Sequence, residues 1–531
     1  MIALLILSRV YSVSNAPINI TIYHTTDVHG WIYGHRHEPT LDADFGDIYS
    51  FFSIAKSRAT DDNQVYVFDT GDNIQGTGLS DATPIAGSFI YDMMKFIPYD
   101  ALQIGNHDVR HDKSVDYLVD HYSPSWNGRY LAGQGVYYDK SKKVGDTHRV
   151  IPLPNNQGNV LVMGFLYNCE NVEQHIKVTF VDEHLRQPWF TQAMATDNIR
   201  TIVVLCHFGT TDGLLSTVKA AIRAKAPKIP VVFLTGHTHR SRTDKQDSET
   251  YVMESGRYTD NIGKISFTLA KQAPTSRSFA RLEDSRNDGI ISNIDQTSFS
   301  QSFIPTNKAK LMSELKITDP SQFKTSVGER MKLLIQNKFI ALGLAPLVGC
   351  APKTYNNNAH QLDDSTNLYR LCLDDMLPKY GPKRTDVLSM LKTEEEREAV
   401  RQKPAANASI YVLDDGLLRY PIYKGEVIVD DLFTSDPFNY EALAIVAIEG
   451  SKLKTFLGMT YPGGSKFTNT HLLTKQSIKA GQYYDVYVAY NHKVQIQSML
   501  DTLSPGEFPL MSTGVYFRPL FVDYVRNEMK C

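Results

Sequence analysis

The sequence predicts an α/β protein built as two domains, and three features predict it. The 531 residues are 42% hydrophobic, ordinary for a soluble globular chain and enough for more than one core. Five short apolar runs each lead into a turn bearing Asp, Asn or His, with helix-compatible segments between them. From Ala341 onward a new series of strands and helices begins.

The chain opens with Met1-Ile2-Ala3-Leu4-Leu5-Ile6-Leu7 and reaches Ser14-Asn15-Ala16 before Pro17, an apolar segment with a small-x-small cleavage pattern. Residues 1–16 are therefore expected to be a secretory signal; a buried first strand is the alternative, because the usual positive n-region is missing. No other segment approaches the roughly 18 apolar residues of a membrane span, and the last ten residues, Val522 to Cys531, are polar, so no membrane anchor is expected. The strands then follow in order. Ile18-Asn19-Ile20-Thr21-Ile22-Tyr23 alternates and is β-branched, and it leads to Asp27-Val28-His29-Gly30-Trp31. Val65-Tyr66-Val67-Phe68 leads to Asp69-Thr70-Gly71-Asp72-Asn73, and Ala101-Leu102-Gln103-Ile104 to Gly105-Asn106-His107-Asp108. Thr201 to Cys206 runs into His207, and Pro230 to Thr235 into Gly236-His237-Thr238-His239. Ser80 to Phe96, Asp112 to Tyr122 and Thr211 to Ala226 fill the intervals as helices or excursions. In such sheets the carboxyl ends of strands converge on one crevice.

Asn307 to Leu315 and Ser321 to Phe339 have helical periodicity, interrupted at Asp319-Pro320. The expected organisation is a signal at 1–16, a catalytic domain at 17–300, a helical linker at 301–338 and a second domain at 339–531. In the second domain an apolar strand to Val348, a helix from Leu368 to Met376, an acidic helix around Glu394 to Glu398, and strands at Ser409–Leu413, Ala442–Ile448 and Tyr484–Tyr490 read as α/β or α+β.

A formal charge of -3 and a pI near 6.6 provide no basic field for stable nucleic-acid binding, so phosphate chemistry here must rest on a local positive site. Five scattered cysteines, Cys169, Cys206, Cys350, Cys372 and Cys531, make neither a disulfide scaffold nor a thiolate metal site. Cys350 and Cys372 either pair in an oxidising compartment or stay as buried thiols. Asn19-Ile20-Thr21 and Asn407-Ala408-Ser409 are sequons that suit a secreted chain.

Collected, the strand ends present Asp27, His29, Asp72, Asn106, His207, His237 and His239. Imidazoles, carboxylates and one amide suit divalent Zn, Mn, Fe or Co. Any one His near a strand is usually a satisfied polar neighbour, but the ordered set repeats after every strand. Seven donors exceed one ion and fit two sharing a carboxylate, for which Asp72 is the natural bridge. Two divalent ions, two carboxylates and a bridging hydroxide leave a small positive excess, suited to a phosphate dianion and to in-line attack by that hydroxide. His107 is surplus to the metal count and is placed to stabilise or protonate the leaving oxygen. His35 and His37 match no ligand position and read as loop residues.

The series Asp27-x-His29, Gly71-Asp72, Gly105-Asn106-His107-Asp108, His207 and Gly236-His237-Thr238-His239 resembles the calcineurin-like metallophosphoesterase superfamily and, within it, the two-domain 5'-nucleotidase family. Asp27 to Trp31 with Asp42-Ala43-Asp44-Phe45-Gly46-Asp47 looks most like a fungal lumenal subgroup, vacuolar or secreted. The resemblance implies a four-layer αββα catalytic domain, with Asp27, His29, Asp72 and His239 on one metal and Asp72, Asn106, His207 and His237 on the other. It implies a small phosphate ester as substrate, a nucleotide above all. The second domain of that family supplies arginines and an aromatic clamp. Arg419 in Asp414-Asp415-Gly416-Leu417-Leu418-Arg419 and Phe438 after Pro437 match those positions, with Asp414 where the family has asparagine and only Tyr487 or Tyr490 for the last aromatic. Arg110 stands where the family has the aspartate that orients the histidine, a function an acceptor-free guanidinium cannot serve; the alternatives are that Asp108 or Asp112 substitutes, or that His107 acts with a lower pKa in a different pose. A phosphodiester or pyrophosphate hydrolase is the alternative within enzymes. A non-catalytic binding protein on a retained scaffold is the alternative outside them, disfavoured because no ligand is missing.

Overall fold

The structure, a computed structural model, describes residues 17–531 apart from 111, 133–134, 140, 171, 271–298, 360, 415, 460–470, 474–477 and 490–492. The expected signal at 1–16 and Tyr490 lie outside the described residues. Contacts divide the chain into two compact units, Met1–Gln75 with Ala82–Lys338, and Gly76–Asp81 with Phe339–Cys531.

The first unit is built on two six-stranded sheets. In one, Ile18–Thr25, Asn63–Asp69 and Ala101–Gln103 lie side by side and parallel. In the other, Asn159–Leu166, Ile199–His207 and Val231–Thr235 do the same. Their inner faces share one core, with Ile20, Ile22 and Phe68 from the first sheet meeting Val203, Leu205 and Val232 from the second. The alternate residues Leu161, Ile202, Val204 and Phe233 face the other way, against Trp189, Phe190, Leu215 and Val218 of the helices Pro188–Met194 and Gly213–Lys225. Period-2 alternation thus covers the central strands on both faces, which is why they read as nearly continuous apolar runs. On the first sheet, Phe45–Ser57 covers the outer face through Phe51, whose ring lies 5.0 Å from Tyr23. Asp44 starts that helix, its side chain accepting from the Gly46 and Asp47 N–H groups. The layers are helix, sheet, sheet, helix.

The span Ser80 to Phe96 forms two short helices, Gly78–Asp81 and Ser88–Met94, because Pro84 and Gly87 interrupt it. Sequence reading also passed over Ser241–Asp247, Thr250–Ser255, Asn261–Leu269 and Ser300–Pro305, which extend the sheets at their edges. Ser241–Asp247 contains no apolar residue, so nothing in its pattern marks a strand. The helical stretch after residue 300 is Lys308–Glu314 and Ser326–Ala341, parted at Pro320, and up to Lys338 it groups with the first unit.

The second unit holds a five-stranded mixed sheet in the order His471–Leu473, Ala408–Asp414, Tyr483–Ala489, Glu441–Glu449, Met511–Tyr516. One face packs on Leu368, Tyr369, Phe517 and Phe521, the other on Leu453, Phe456, Ile496 and Leu500. Cys350 is bonded to Cys531, not to Cys372, which stays a buried thiol. That corrects the pairing considered from sequence: Cys350 lies on Leu347–Ala351, beside the C-terminal helix Phe517–Glu528, and its N–H donates to the Met529 carbonyl at 2.7 Å.

Candidate metal centre

Parallel strands deliver their carboxyl ends to one edge of the first unit. Asp27 follows Ile18–Thr25, Asp72 follows Asn63–Asp69 and Asn106 follows Ala101–Gln103; His207 ends Ile199–His207, and His237 follows Val231–Thr235. Asp27, His29, Asp72, His237 and His239 all have positive φ, from 47° to 77°. Left-handed backbone costs a residue with a Cβ on the order of 1 kcal/mol or more, so its concentration here marks strain held for a site. Close backbone approach completes the turn: a Cβ on Gly105 would lie 2.1 Å from the Asp72 nitrogen.

Among the described residues three trios form, Asp27 with His29 and His239, Asp72 with His207 and His237, and, sharing a member with each, His29 with Asp72 and His107, the ligand atoms in each within 4.8 Å of one another. Asp27 Oδ1 lies 3.3 Å from His239 Nε2, and His29 Nε2 is 3.2 Å from the same nitrogen. Asp72 Oδ2 stands between the first two trios, 3.1 Å from His207 Nε2 and 3.7 Å from His29 Nε2. The imidazoles are oriented from behind. His29 Nδ1 donates to the Gln75 carbonyl at 2.8 Å and His207 Nδ1 to the Thr70 carbonyl at 2.6 Å, which turns both Nε2 atoms into the site. Thr26 Oγ1 and the His237 N–H donate to Asp27 Oδ2, and the His107 N–H donates to Asp72 Oδ1. Asp108 is a scaffold group: it accepts from the Gly105 and Asp72 N–H groups and from the Tyr91 hydroxyl, not from His107. The Asp112 side chain lies outside the described residues.

The charge pattern suits cations. Burial works against ionising Asp72, yet His207, His107 and His29 outweigh it and hold its carboxyl well below the usual range. Burial likewise opposes the His207 imidazolium, but Asp72 beside it raises the ring to about 10. A divalent cation held by Asp72 and His207 would take the place of a proton on this pair. Burial, with His207 adding to it, lowers His237 to about 4, leaving that ring neutral as a ligand must be.

Asn106 adds a sign of its own. Its carboxamide oxygen lies 3.1 Å from His207 Nε2 and 2.9 Å from His237 Nδ1, facing inward, while its nitrogen is 2.9 Å from Arg110 Nη2 and 3.3 Å from the His107 nitrogen. Turned by 180°, the amide would satisfy all four neighbours; a cation among Asp72, His207 and His237 favours the inward oxygen. The donor set and its orientation fit a pair of divalent ions.

His107 sits at the edge of the cluster, its ring 4.8 Å from that of His29. Nδ1 donates to the Gln75 side-chain oxygen, and Nε2 accepts from Arg110 Nη1 at 3.2 Å. Sequence reading noticed Arg110 only as a departure and did not single out Gln75; the positive φ of 66° at Gln75, next to Gly76, has no apolar or motif signal. It also passed over Tyr258 and Tyr167. The Tyr258 ring lies 5.7 Å from His29 and 5.5 Å from His239, and the Tyr167 ring 4.7 Å from His237. His35 is buried, stacked at 4.7 Å on Trp31, which in turn stacks on Tyr258. In the second unit Arg419 lies over Phe438, its Cζ 5.0 Å from the ring centre, and Phe438 stacks on Tyr440. Tyr487 is buried against Tyr411.

Residues 20–241 match the model of the calcineurin-like phosphoesterase family. An uncharacterized protein of Schizosaccharomyces pombe is 26% identical over 430 residues, 79% of this chain and 68% of that one. A protein of Arthroderma benhamiae named as secreted is 23% identical over 447 residues, 79% of this chain and 64% of its own. The crystal structure of 5'-nucleotidase from Candida albicans superposes with a TM-score of 0.78 at 19% identity, covering 96% of this chain and 99% of that chain.

Proposed function

The first unit is a calcineurin-like phosphoesterase, which makes this chain a metal-dependent phosphoric ester hydrolase, and from that premise we propose that it hydrolyses phosphate monoesters, nucleotides above all. The observation that carries the reading is the carboxylate of Asp72, within reach of all three trios. Asp27, His29, Asp72 and His239 would hold one divalent ion and Asp72, Asn106, His207 and His237 the other. Such ions, when bound, polarise phosphoryl oxygens and bring the pKa of water toward neutrality. The protein's own contribution is to fix every ligand from behind and to set His107 at the leaving-group side, its ring held by Gln75. In the second unit, Arg419 and Phe438 are the residues that the family resemblance assigns to substrate binding. The likeness to a nucleotidase structure supports the nucleotide class.

The compartment is secreted or lumenal, vacuolar in the second case. The Cys350–Cys531 bond supports oxidising surroundings, a relative is named as secreted, and Asn19 and Asn407 are exposed glycosylation acceptors. A hydrolysis panel on metal-analysed protein tests the activity: a nucleoside monophosphate and an aryl phosphate are cleaved, a dinucleotide is not. Asp72→Asn and His237→Ala lose hydrolysis and bound metal together; retention of both would sink the reading.

A further inference from the structure

We propose that Arg110 is a phosphate-binding residue contributed by the catalytic unit itself, presenting one edge of its guanidinium to the substrate's phosphoryl oxygens. The inference deepens the phosphomonoesterase reading and rests on it.

The guanidinium has donors and no acceptor capacity, and it is always charged. Nη1 is engaged by His107 Nε2 at 3.2 Å. Nε is buried and meets no acceptor among the described residues. Nη2 lies 2.9 Å from the Asn106 side-chain nitrogen when the amide oxygen faces the metal site, a donor against a donor. Among the described residues only the reversed amide would give Nη2 a partner, and that turn would remove Asn106 as a ligand. Occupation of the metal site and satisfaction of Arg110 are thus mutually exclusive unless something else accepts from Nη2. Nε–H and Nη2–H lie on the same edge of the planar group and form the fork that matches two oxygens of one phosphate. A substrate anion beside Asn106 resolves the conflict: the carboxamide oxygen stays on the cation, and the guanidinium gains its missing acceptors.

The same contact explains what His107 is doing. Nδ1 of His107 meets the Gln75 side-chain oxygen and Nε2 meets Arg110 Nη1, so both ring nitrogens are held in place. Arg110 brings a fixed positive charge to this side of the site. A charge-assisted fork lost from a site of this kind is expected to weaken anion binding about 10- to 100-fold.

The experiment compares wild type, Arg110→Ala and Arg110→Lys, each loaded with metal and assayed for metal content. Inorganic phosphate is titrated by calorimetry, and aryl phosphate hydrolysis is split into kcat and KM. The expected result is unchanged metal content, phosphate affinity and KM weakened about 10- to 100-fold in Arg110→Ala, and an intermediate value in Arg110→Lys, which keeps the charge without the fork. Phosphate affinity in Arg110→Ala within twofold of wild type overturns the proposal. So does loss of metal in step with loss of phosphate, which would make Arg110 a support for Asn106, and so does a wild type that binds no phosphate. Wild type that binds phosphate through Arg110 yet cleaves no monoester would overturn the phosphomonoesterase reading alone.

Discussion

A single carboxylate oxygen, Asp72 Oδ2, has imidazole nitrogens of His207, His29 and His107 at 3.1, 3.7 and 3.9 Å, and its unusual acidity follows from that company. Asp436 shows the opposite case. It is fully buried in the second unit with one oxygen unpartnered, and burial raises its carboxyl from 3.8 to about 6 despite Arg518 nearby. The folded state holds that proton more tightly than the unfolded chain, so this residue's contribution is most favourable below pH 4 and declines as pH rises through 6. Asp436→Asn cannot titrate. Relative to wild type it should gain roughly 2–3 kcal/mol between pH 4 and pH 7 in denaturant unfolding; parallel pH curves for the two proteins would contradict the burial argument.

At the scale of elements, the site depends on how tightly two strand-end turns meet. The Gly71 turn has φ +91°, and a Cβ there would lie 2.4 Å from the Gly105 nitrogen; a Cβ on Gly105 would lie 2.2 Å from Asp72 Oδ1. Neither neighbour can give way without moving Asp72, because Asp108 ties the Gly105 and Asp72 N–H groups to one carboxylate. Gly105→Ala should therefore weaken metal binding about tenfold or more while the sheets remain folded. Metal content after dialysis, read beside circular dichroism, checks this, and full metal occupancy in the variant would show the approach to be slack.

Across the whole chain, the disulfide closes a loop of 181 residues within the second unit. Restricting the unfolded chain over that length is worth roughly 2–5 kcal/mol. Cys531→Ser should lose that much, wild type in reductant should behave like the variant, and Cys372→Ser should keep the wild-type response to reductant. Equal stability of oxidised and reduced wild type would remove the bond from the account. No helix among the described residues is long and apolar enough to cross a membrane.

The sequence by itself determined the layered α/β class and brought forward seven strand-end side chains as candidate ligands, because parallel strands buried on both faces leave long apolar runs, and polar side chains stand out where each run ends. Edge strands such as Ser241–Asp247 were not legible, since a strand with no buried side chain needs no apolar period. Only the tertiary structure decided that Cys531 partners Cys350, that Asp108 serves the backbone while Gln75 and Arg110 hold His107, and that Tyr258 and Tyr167 border His29 and His237. Each of these depends on residues far apart in the chain, or on which way a side chain turns beside a neighbour. Local pattern carries neither, because the energy that selects among such pairings arises only when the strand ends are brought together.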